Sequence, residues 1–440
     1  MMSRFVDATG RANPPTEDSP HGPTPVTRYD VLIVGGGHGG AQAAIALRQH
    51  GFTGTIAIIS SEDDLPYERP PLSKDYLARK RDFARILIRP ISFWTERHVD
   101  MHLGTRVVTV DPNRHRLVTH RGEKFGYDRL IWAAGGTPRR LSCDGHELTG
   151  IHTVRSRTDV DRIKVELETT ERVAVIGGGY IGLEAAAVLT GLGKRVTVLE
   201  AQDRVLARVA AEPLSRFYEA EHRAHGVDIR LSIQVQYIEG AGGRMNAVRL
   251  TNGNSIPCDL AVVGIGIVPA VAPLLRAGAD GDNGVLVDEH CRTTLPDIFA
   301  VGDCAAHRNY FADGVTVRLE SVQNAVDQAI VAAKTIVGGT GGYRSVPSFW
   351  SDQYDLKLRT VGLSLGYDAT VIRGDPETRS FSVIYLRRGR VIALDSVNSV
   401  KDFAQGRALV AARLIADPAT LADSTTPLKQ LLPAHMPTPI

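Results

Sequence analysis

The sequence predicts an α/β protein of two parallel, doubly wound units followed by a smaller α+β domain, and three observations predict it. First, YDVLIV from Tyr29 has the composition of a buried strand and runs into GGGHGG; the apolar-periodic helix AQAAIALRQHG ends at Gly51, and TIAIIS supplies a second strand ending at Ser60. Second, the order repeats from Arg172, with RVAVI as strand, YIGLEAAAVLTGLG as helix and RVTVLE as the next strand, closing at Glu200. Third, after GGTGGY near Tyr343 the texture changes to alternating segments such as FSVIYLRRGRVIALDSV from Phe381, with a turn at Arg388 and Gly389. Strands alternating with helices imply parallel sheets, and the repeat is a duplicated unit, since nothing recurs at solenoid period.

In chain order, residues 1–28 are rich in Pro, Thr and Asp, lack the apolar core of a signal peptide, and are expected to be a disordered leader. Residues 29–146 are expected to be the first part of one nucleotide-binding domain, 147–267 a second such domain inserted into it, 268–345 the return to the first, and 346–440 the C-terminal α+β domain. CDLAVVGIGIVP from Cys258 and DIFAVGDCA from Asp297 are each a buried strand entering a glycine turn. A helical stretch around Gln405 to Ala416 is expected to close the fold.

The composition, 43% hydrophobic and 23% charged over 440 residues, is that of a soluble globular chain with room for several domains. Lys and Arg total 51 against 49 Asp and Glu, so a net charge of +2 supplies no general field for nucleic acid or an anionic membrane. No stretch approaches eighteen uninterrupted apolar residues. The four cysteines, Cys143, Cys258, Cys291 and Cys304, form neither a CxxC pair nor a disulfide framework, which fits a cytoplasmic protein. His222 and His225 share one helix face but have no third ligand; they are expected at the surface, and no metal site is expected.

Both glycine clusters fit GxGxxG, with Gly35, Gly37 and Gly40 in the first and Gly177, Gly179 and Gly182 in the second. The first glycine of each permits the tight strand-to-helix turn, the second lets backbone approach a pyrophosphate, and the third lets helix and strand pack closely. The helix N-terminus then offers free N–H groups and positive dipole to the phosphates. These are Rossmann-like dinucleotide sites. Glu200 ends the second strand of its unit about 20 residues after the glycines, where a carboxylate accepts from a ribose 2′-hydroxyl and repels a 2′-phosphate. NADH is therefore expected over NADPH. In the first unit the corresponding strand ends in Ser60-Ser61-Glu62, and Glu62 is taken as its acid. Two dinucleotide sites in one chain point to a nicotinamide donor serving a flavin, since FAD carries the same ADP half.

These motifs, with LPYERPPLSKDYL from Leu65, YDRLIWAAGGTPRRL from Tyr127, ESVQNAVDQA from Glu320 and FWSDQYDLKL from Phe349, make the chain resemble the FAD-dependent pyridine-nucleotide reductases. Within them it is most similar to the NADH-dependent ferredoxin reductases that serve bacterial oxygenases. The resemblance implies a glutathione-reductase-like fold with FAD and NADH as cofactors. It places Lys74 near the flavin N5 and assigns Arg139 and Asp303 to hold FAD, with Val107, Val322 and the Gly39 amide lining that site. Glu184 would pair with Lys74 and meet the nicotinamide carboxamide, and Trp350 would cover the flavin from the C-terminal domain. Physically, a lysine near N5 favours the anionic charge that reduction puts on the ring. The plain alternatives are a surface lysine after a Pro-Pro turn and an ordinary core tryptophan. Ser61, Ala134 and Ala270 depart from the family pattern and bear on FAD contact details, while leaving the fold as it stands.

The first cysteine of the chain is Cys143, so no redox thiol lies on the segment after the first βαβ unit, where disulfide reductases place theirs. Electrons must then leave the flavin directly, and the implied acceptor is a small two-iron ferredoxin or a rubredoxin feeding an oxygenase. Two basic clusters are candidates for docking an acidic partner: Arg79, Lys80, Arg81 and Arg85, and Arg387, Arg388 and Arg390. Competing readings are an NADH oxidase or quinone reductase, and a redox-sensing flavoprotein resembling apoptosis-inducing factor. The protein is expected as a monomer or homodimer.

Overall fold

The computed structural model describes residues 26–433. Val31, Leu32 and Ile33 are all fully buried, so this strand is covered on both faces, as a central parallel strand must be. It spans Thr27–Val34 and pairs in parallel with Ile56–Ile59 on one side and Lys124–Trp132 on the other. The full sheet has seven strands, with Val99–His102 at one edge and an antiparallel pair, Val107–Asp111 and Arg116–Thr119, at the other. Residues 1–25 of the expected leader lie outside the described residues; Thr27 and Arg28 already belong to the strand, paired with Phe125 and Gly126.

The chain then leaves this sheet and builds a second one of five parallel strands, in the order Asp228–Arg230, Arg195–Leu199, Arg172–Ile176, Leu260–Val263 and Ile151–Thr153. Val235–Ala241, Arg244–Leu250 and Ser255–Pro257 form a small antiparallel sheet beside it. Gly136–Pro138 and Ile267–Pro269 pair antiparallel, joining the outgoing and returning chain. Ile298–Ala300 finally inserts in parallel beside Lys124–Trp132, so the first sheet is completed only after the second has been made.

The glycines explain how each helix sits so close to its strand. Gly35 and Gly177 have φ of +120° and +108°, and a Cβ on either would strike backbone, 2.2 Å from the Ala133 oxygen or 2.5 Å from the Gly264 oxygen. At Gly40 and Gly182, inside the helices His38–Gln49 and Tyr180–Gly191, a Cβ would lie 1.9 and 2.0 Å from the carbonyl oxygens of Gly35 and Gly177. Only hydrogen fits at these contacts.

The C-terminal portion is a five-stranded antiparallel sheet in the order Ser348–Gln353, Leu356–Gly362, Arg390–Val397, Ser380–Arg387, Ala369–Asp375. Arg388 and Gly389, at φ of 52° and 72°, make the tight hairpin turn that the sequence places there. The last long helix spans Val400–Ala411, a correction to the expected Gln405 to Ala416. Asp402 in its first turn pairs with the buried Arg373, and Arg413 adopts left-handed backbone just past its end. His222 is a second correction, because it is fully buried against the C-terminal sheet, where it meets Gln353.

We expect Gly182→Ala to destabilise the second unit by roughly 1–3 kcal/mol, because overpacking against rigid backbone is not relieved by a rotamer change. An unchanged melting temperature together with unchanged NAD+ affinity would contradict this.

Candidate functional site

Both glycine turns open into one cavity of about 1500 Å³, larger than the roughly 300–1,000 Å³ of ordinary small-molecule pockets. An added Cβ at Gly37 would find nothing nearer than Arg69 Nε at 3.9 Å, and one at Gly179 nothing within 4 Å. A methyl group at either position would therefore stand in the cavity itself, between the backbone and a pyrophosphate. The helices beginning at His38 and Tyr180 carry no side-chain cap, which leaves their first N–H groups available to phosphate oxygens. FAD and NADH fit these two cradles.

Around the first cradle, Glu62 lies at the wall with its carboxylate 2.5 Å from the Arg69 guanidinium and accepting from the Tyr67 hydroxyl. Burial opposes its charge, but Arg69 and Tyr67 outweigh that and hold the carboxyl below its ordinary range. Asp303 reaches the same wall and pairs with Arg155 at 3.2 Å, an ion pair between residues far apart in sequence. Arg69 also donates to the Arg155 carbonyl at 2.7 Å, so the two pairs form one frame. His38 lies against this frame: burial first, then the charges of Arg69 and Arg155, push it down to about 4, and it is neutral at pH 7. Gly39, Val107 and Val322 line the cavity, as do Ser61, Ala134 and Ala270. Arg139 is exposed along Gly266, its backbone N–H bonded to the Gly266 oxygen at 2.9 Å, and its neighbour Arg140 reaches the wall instead. Gly40, Gly177 and Gly182 serve packing and do not line the cavity.

At the second cradle, Glu200 is aimed by backbone. Its Oε2 accepts from the Gly178 N–H at 2.6 Å and its Oε1 from the Gln202 N–H at 2.8 Å, with the carboxylate on the cavity wall.

Between the cradles lies the Lys74–Glu184 pair, Nζ to Oε2 at 2.6 Å, with Glu184 only 1% exposed. Pro70 and Pro71 set the short 3₁₀ turn Pro70–Ser73 that presents Lys74, while Glu184 projects from the first turns of the helix behind the second glycine cluster. Ser73 Oγ donates to Glu184 Oε2 at 2.5 Å and Ser351 Oγ to Oε1 at 2.6 Å. Trp350, next to Ser351, lies on the cavity wall. Sequence reasoning named Lys74, Glu184 and Trp350 but missed both serines, although each adjoins a residue it had singled out. It also missed the buried Asp395, which accepts from Thr360 and Tyr385 at 2.5 Å each and is pushed up to about 6 by burial. No cysteine lines the cavity. Cys304, beside Asp303, is fully buried, and burial raises its thiol to about 11.

Fold and site together define a flavin-dependent oxidoreductase with two dinucleotide sites in one chamber. The chain belongs to the pyridine nucleotide-disulphide oxidoreductase family, which accounts for residues 29–329, and carries a reductase C-terminal domain over 348–432. Its cofactors are FAD and NAD(H). It is 57% identical over 407 residues to a ferredoxin–NAD(P)+ reductase of Sphingomonas sp, covering 92% of this chain and 98% of that one. It is 58% identical over 408 residues to the ferredoxin reductase subunit of a 5,5′-dehydrodivanillate O-demethylase of Sphingobium sp., covering 92% and 99%. Its fold matches putidaredoxin reductase in a covalent complex with putidaredoxin at a TM-score of 0.88 and 38% identity, over 92% of this chain and 98% of that one.

Two outcomes are expected. Lys74→Ala strands a buried carboxylate, at a cost of about 3–5 kcal/mol, and slows flavin reduction by NADH at least about tenfold; an unchanged rate in stopped flow would remove Lys74 from the chemistry. Glu200→Ala moves the NADH:NADPH preference at least about tenfold toward NADPH, because a unit charge about 4 Å from a phosphate is worth roughly 4 kcal/mol at an effective dielectric of ~20. An unchanged preference ratio would leave Glu200 as a structural strand end.

Proposed function

We propose that this chain is an NADH-dependent ferredoxin reductase that passes electrons through FAD to a small two-iron ferredoxin or rubredoxin, which in turn supplies an oxygenase. The observation that carries this reading is a chamber with two dinucleotide cradles, a lysine paired with a buried carboxylate between them and, among the described residues, no thiol on its wall. Bound there, FAD supplies the conversion of a two-electron donor into single-electron steps. The protein's own part is orientation and charge. Lys74 places a positive group beside the reacting region, Glu184 keeps that group fixed, and Trp350 closes the chamber from the C-terminal sheet. No side chain needs to act as general base for hydride transfer, so precise placement carries the catalysis. A cytoplasmic location accords with four unpaired cysteines and with the lack, among the described residues, of a helix long and apolar enough to cross a membrane.

Of the two basic clusters, the one on the C-terminal hairpin is the better docking face. Arg387, Arg390 and Arg413 converge on Asp313, leaving an excess of positive charge. Val315 and Leu365, each more than half exposed, lie on the cavity wall, and Gly366 abuts the Arg387 guanidinium. Apolar contacts ringed by arginine at the mouth of a flavin chamber suit an acidic electron carrier. In the other cluster, Arg79 and Arg81 are individually paired with Glu168 and Glu68.

The test is NADH-driven reduction of a panel of two-iron ferredoxins by the FAD-loaded protein. At least one should be reduced rapidly, and Arg387→Glu with Arg390→Glu should raise its KM about tenfold at low salt and flatten the salt dependence, while flavin reduction by NADH is untouched. Turnover with oxygen or quinone alone would overturn the proposed acceptor, and an effect confined to Arg79 and Arg81 reversals would move the docking face.

A further inference from the structure

Glu184 is held from two sides: Lys74 and Ser73 come from the first nucleotide-binding unit, and the other side begins at the C-terminal sheet. On the other side Ser351 Oγ donates to Oε1 at 2.6 Å, and behind it Gln353 Nε2 donates to Ser351 Oγ at 3.1 Å. Gln353 Oε1 lies 2.8 Å from His222 Nε2, and the Tyr354 hydroxyl lies 3.0 Å from His222 Nδ1. Ser351 and His222 are fully buried and Gln353 is 1% exposed.

The chain has a single sense. An ionised carboxylate only accepts, so Ser351 must donate to it and receive the amide N–H; the amide oxygen then needs the Nε2–H of His222, and Nδ1 is left to accept from Tyr354. Every donor is aimed toward Glu184. The imidazole must be neutral for this arrangement, and burial, aided by His225 and opposed by the Gln353 bond, pushes His222 down to about 4. The far end is also built. Tyr354 sits at φ of 55° in the turn between two strands, a costly backbone conformation for a bulky residue, and His225 stacks on its ring at 3.7 Å. Arg379 pairs with both Glu221 and Asp355, the neighbours of His222 and Tyr354, and so clamps the helix Glu212–Ala224 to the C-terminal hairpin. Apolar side chains can commonly fill such a volume at comparable stability, whereas a fully satisfied polar chain fixes one rigid, directional arrangement.

We infer that Ser351, Gln353 and His222 are positioning residues, a directional hydrogen-bond chain by which the C-terminal sheet and the helix Glu212–Ala224 hold the Glu184 carboxylate toward Lys74 and so set the nicotinamide end of the chamber. The inference rests on the reading of Lys74–Glu184 as the reacting region.

The test uses the full-length, FAD-loaded protein and two readouts: the NAD+ dissociation constant by equilibrium titration, and the limiting rate of flavin reduction against NADH concentration. Ser351→Ala should weaken NAD+ binding about tenfold and lower the limiting rate, the loss expected when a charged group gives up one hydrogen bond. His222→Leu, which leaves the Gln353 amide oxygen unpaired one step further back, should move both quantities in the same direction by at least about threefold. Ser351→Thr, which keeps the hydroxyl, and His222→Gln, which keeps an N–H for Gln353, should return both quantities to within about twofold. Wild-type affinity and rate in Ser351→Ala would overturn the inference, as would a loss confined to melting temperature that the Thr and Gln variants share. Glu184→Gln separates the two levels. If it alters NAD+ binding and rate while the Ser351 and His222 variants do not, the positioning chain fails; if Glu184→Gln itself changes neither quantity, the reading of the pair fails.

Discussion

A carboxylate with 1% exposure cannot remain charged unless something else in the interior compensates it, and most of the central architecture answers that demand at Glu184. Lys74 and Ser73 come from a proline-set turn of the first unit, Glu184 itself from the first helix of the second, and Ser351 from the C-terminal sheet. Two parts of the chain must therefore be in register for the ion pair to form, and a third for the Ser351 hydrogen bond that completes it. Residues from all three parts line the chamber between the nucleotide cradles. On the proposed reading, orientation and charge at the reacting region depend on a cluster of contacts that none of the three parts makes alone.

The same logic recurs at the first cradle. Glu62–Arg69 and Arg155–Asp303 are two ion pairs cross-linked by the Arg69 bond to the Arg155 carbonyl, and they fix the wall near the first glycine turn. Arg155 lies just before the helix Arg157–Glu166, which Ser156 and Asp159 cap reciprocally, so the arginine is anchored by a well-made helix start. The absence of a thiol on the wall gives the chamber its chemical character. Its family is named for disulphide chemistry, yet no cysteine is among the described residues that line the chamber.

The parts of this design that are local were legible in the sequence. The duplicated strand-glycine-helix units, the hairpin at Arg388 and Gly389, and Glu200 after its strand each follow from a short-range rule, because backbone packing dictates residue type there. Lys74, Glu184 and Trp350 were legible only through resemblance. Partners separated by a hundred residues, such as Arg155 with Asp303 or Ser351 with Glu184, leave no mark in local pattern. His222 did leave one: with Leu214 and Tyr218 it recurs every fourth residue on a single helix face, and those residues are buried. Arg139 was assigned through resemblance; it lies exposed along Gly266, and its neighbour Arg140 reaches the cavity wall. The last helix was set late because its start depends on Asp402 meeting Arg373 across the C-terminal fold.

On the proposed reading, both dinucleotides act within one chamber and electrons leave it singly without a thiol relay. Anaerobic stopped-flow reduction of the FAD-loaded protein by NADH, followed by mixing with a two-iron ferredoxin, tests it most directly. The flavin should bleach rapidly and then reoxidise in step with two equivalents of ferredoxin reduced. Slow bleaching with a persistent long-wavelength charge-transfer band, and no transfer to any ferredoxin, would contradict it and point to a redox-sensing flavoprotein.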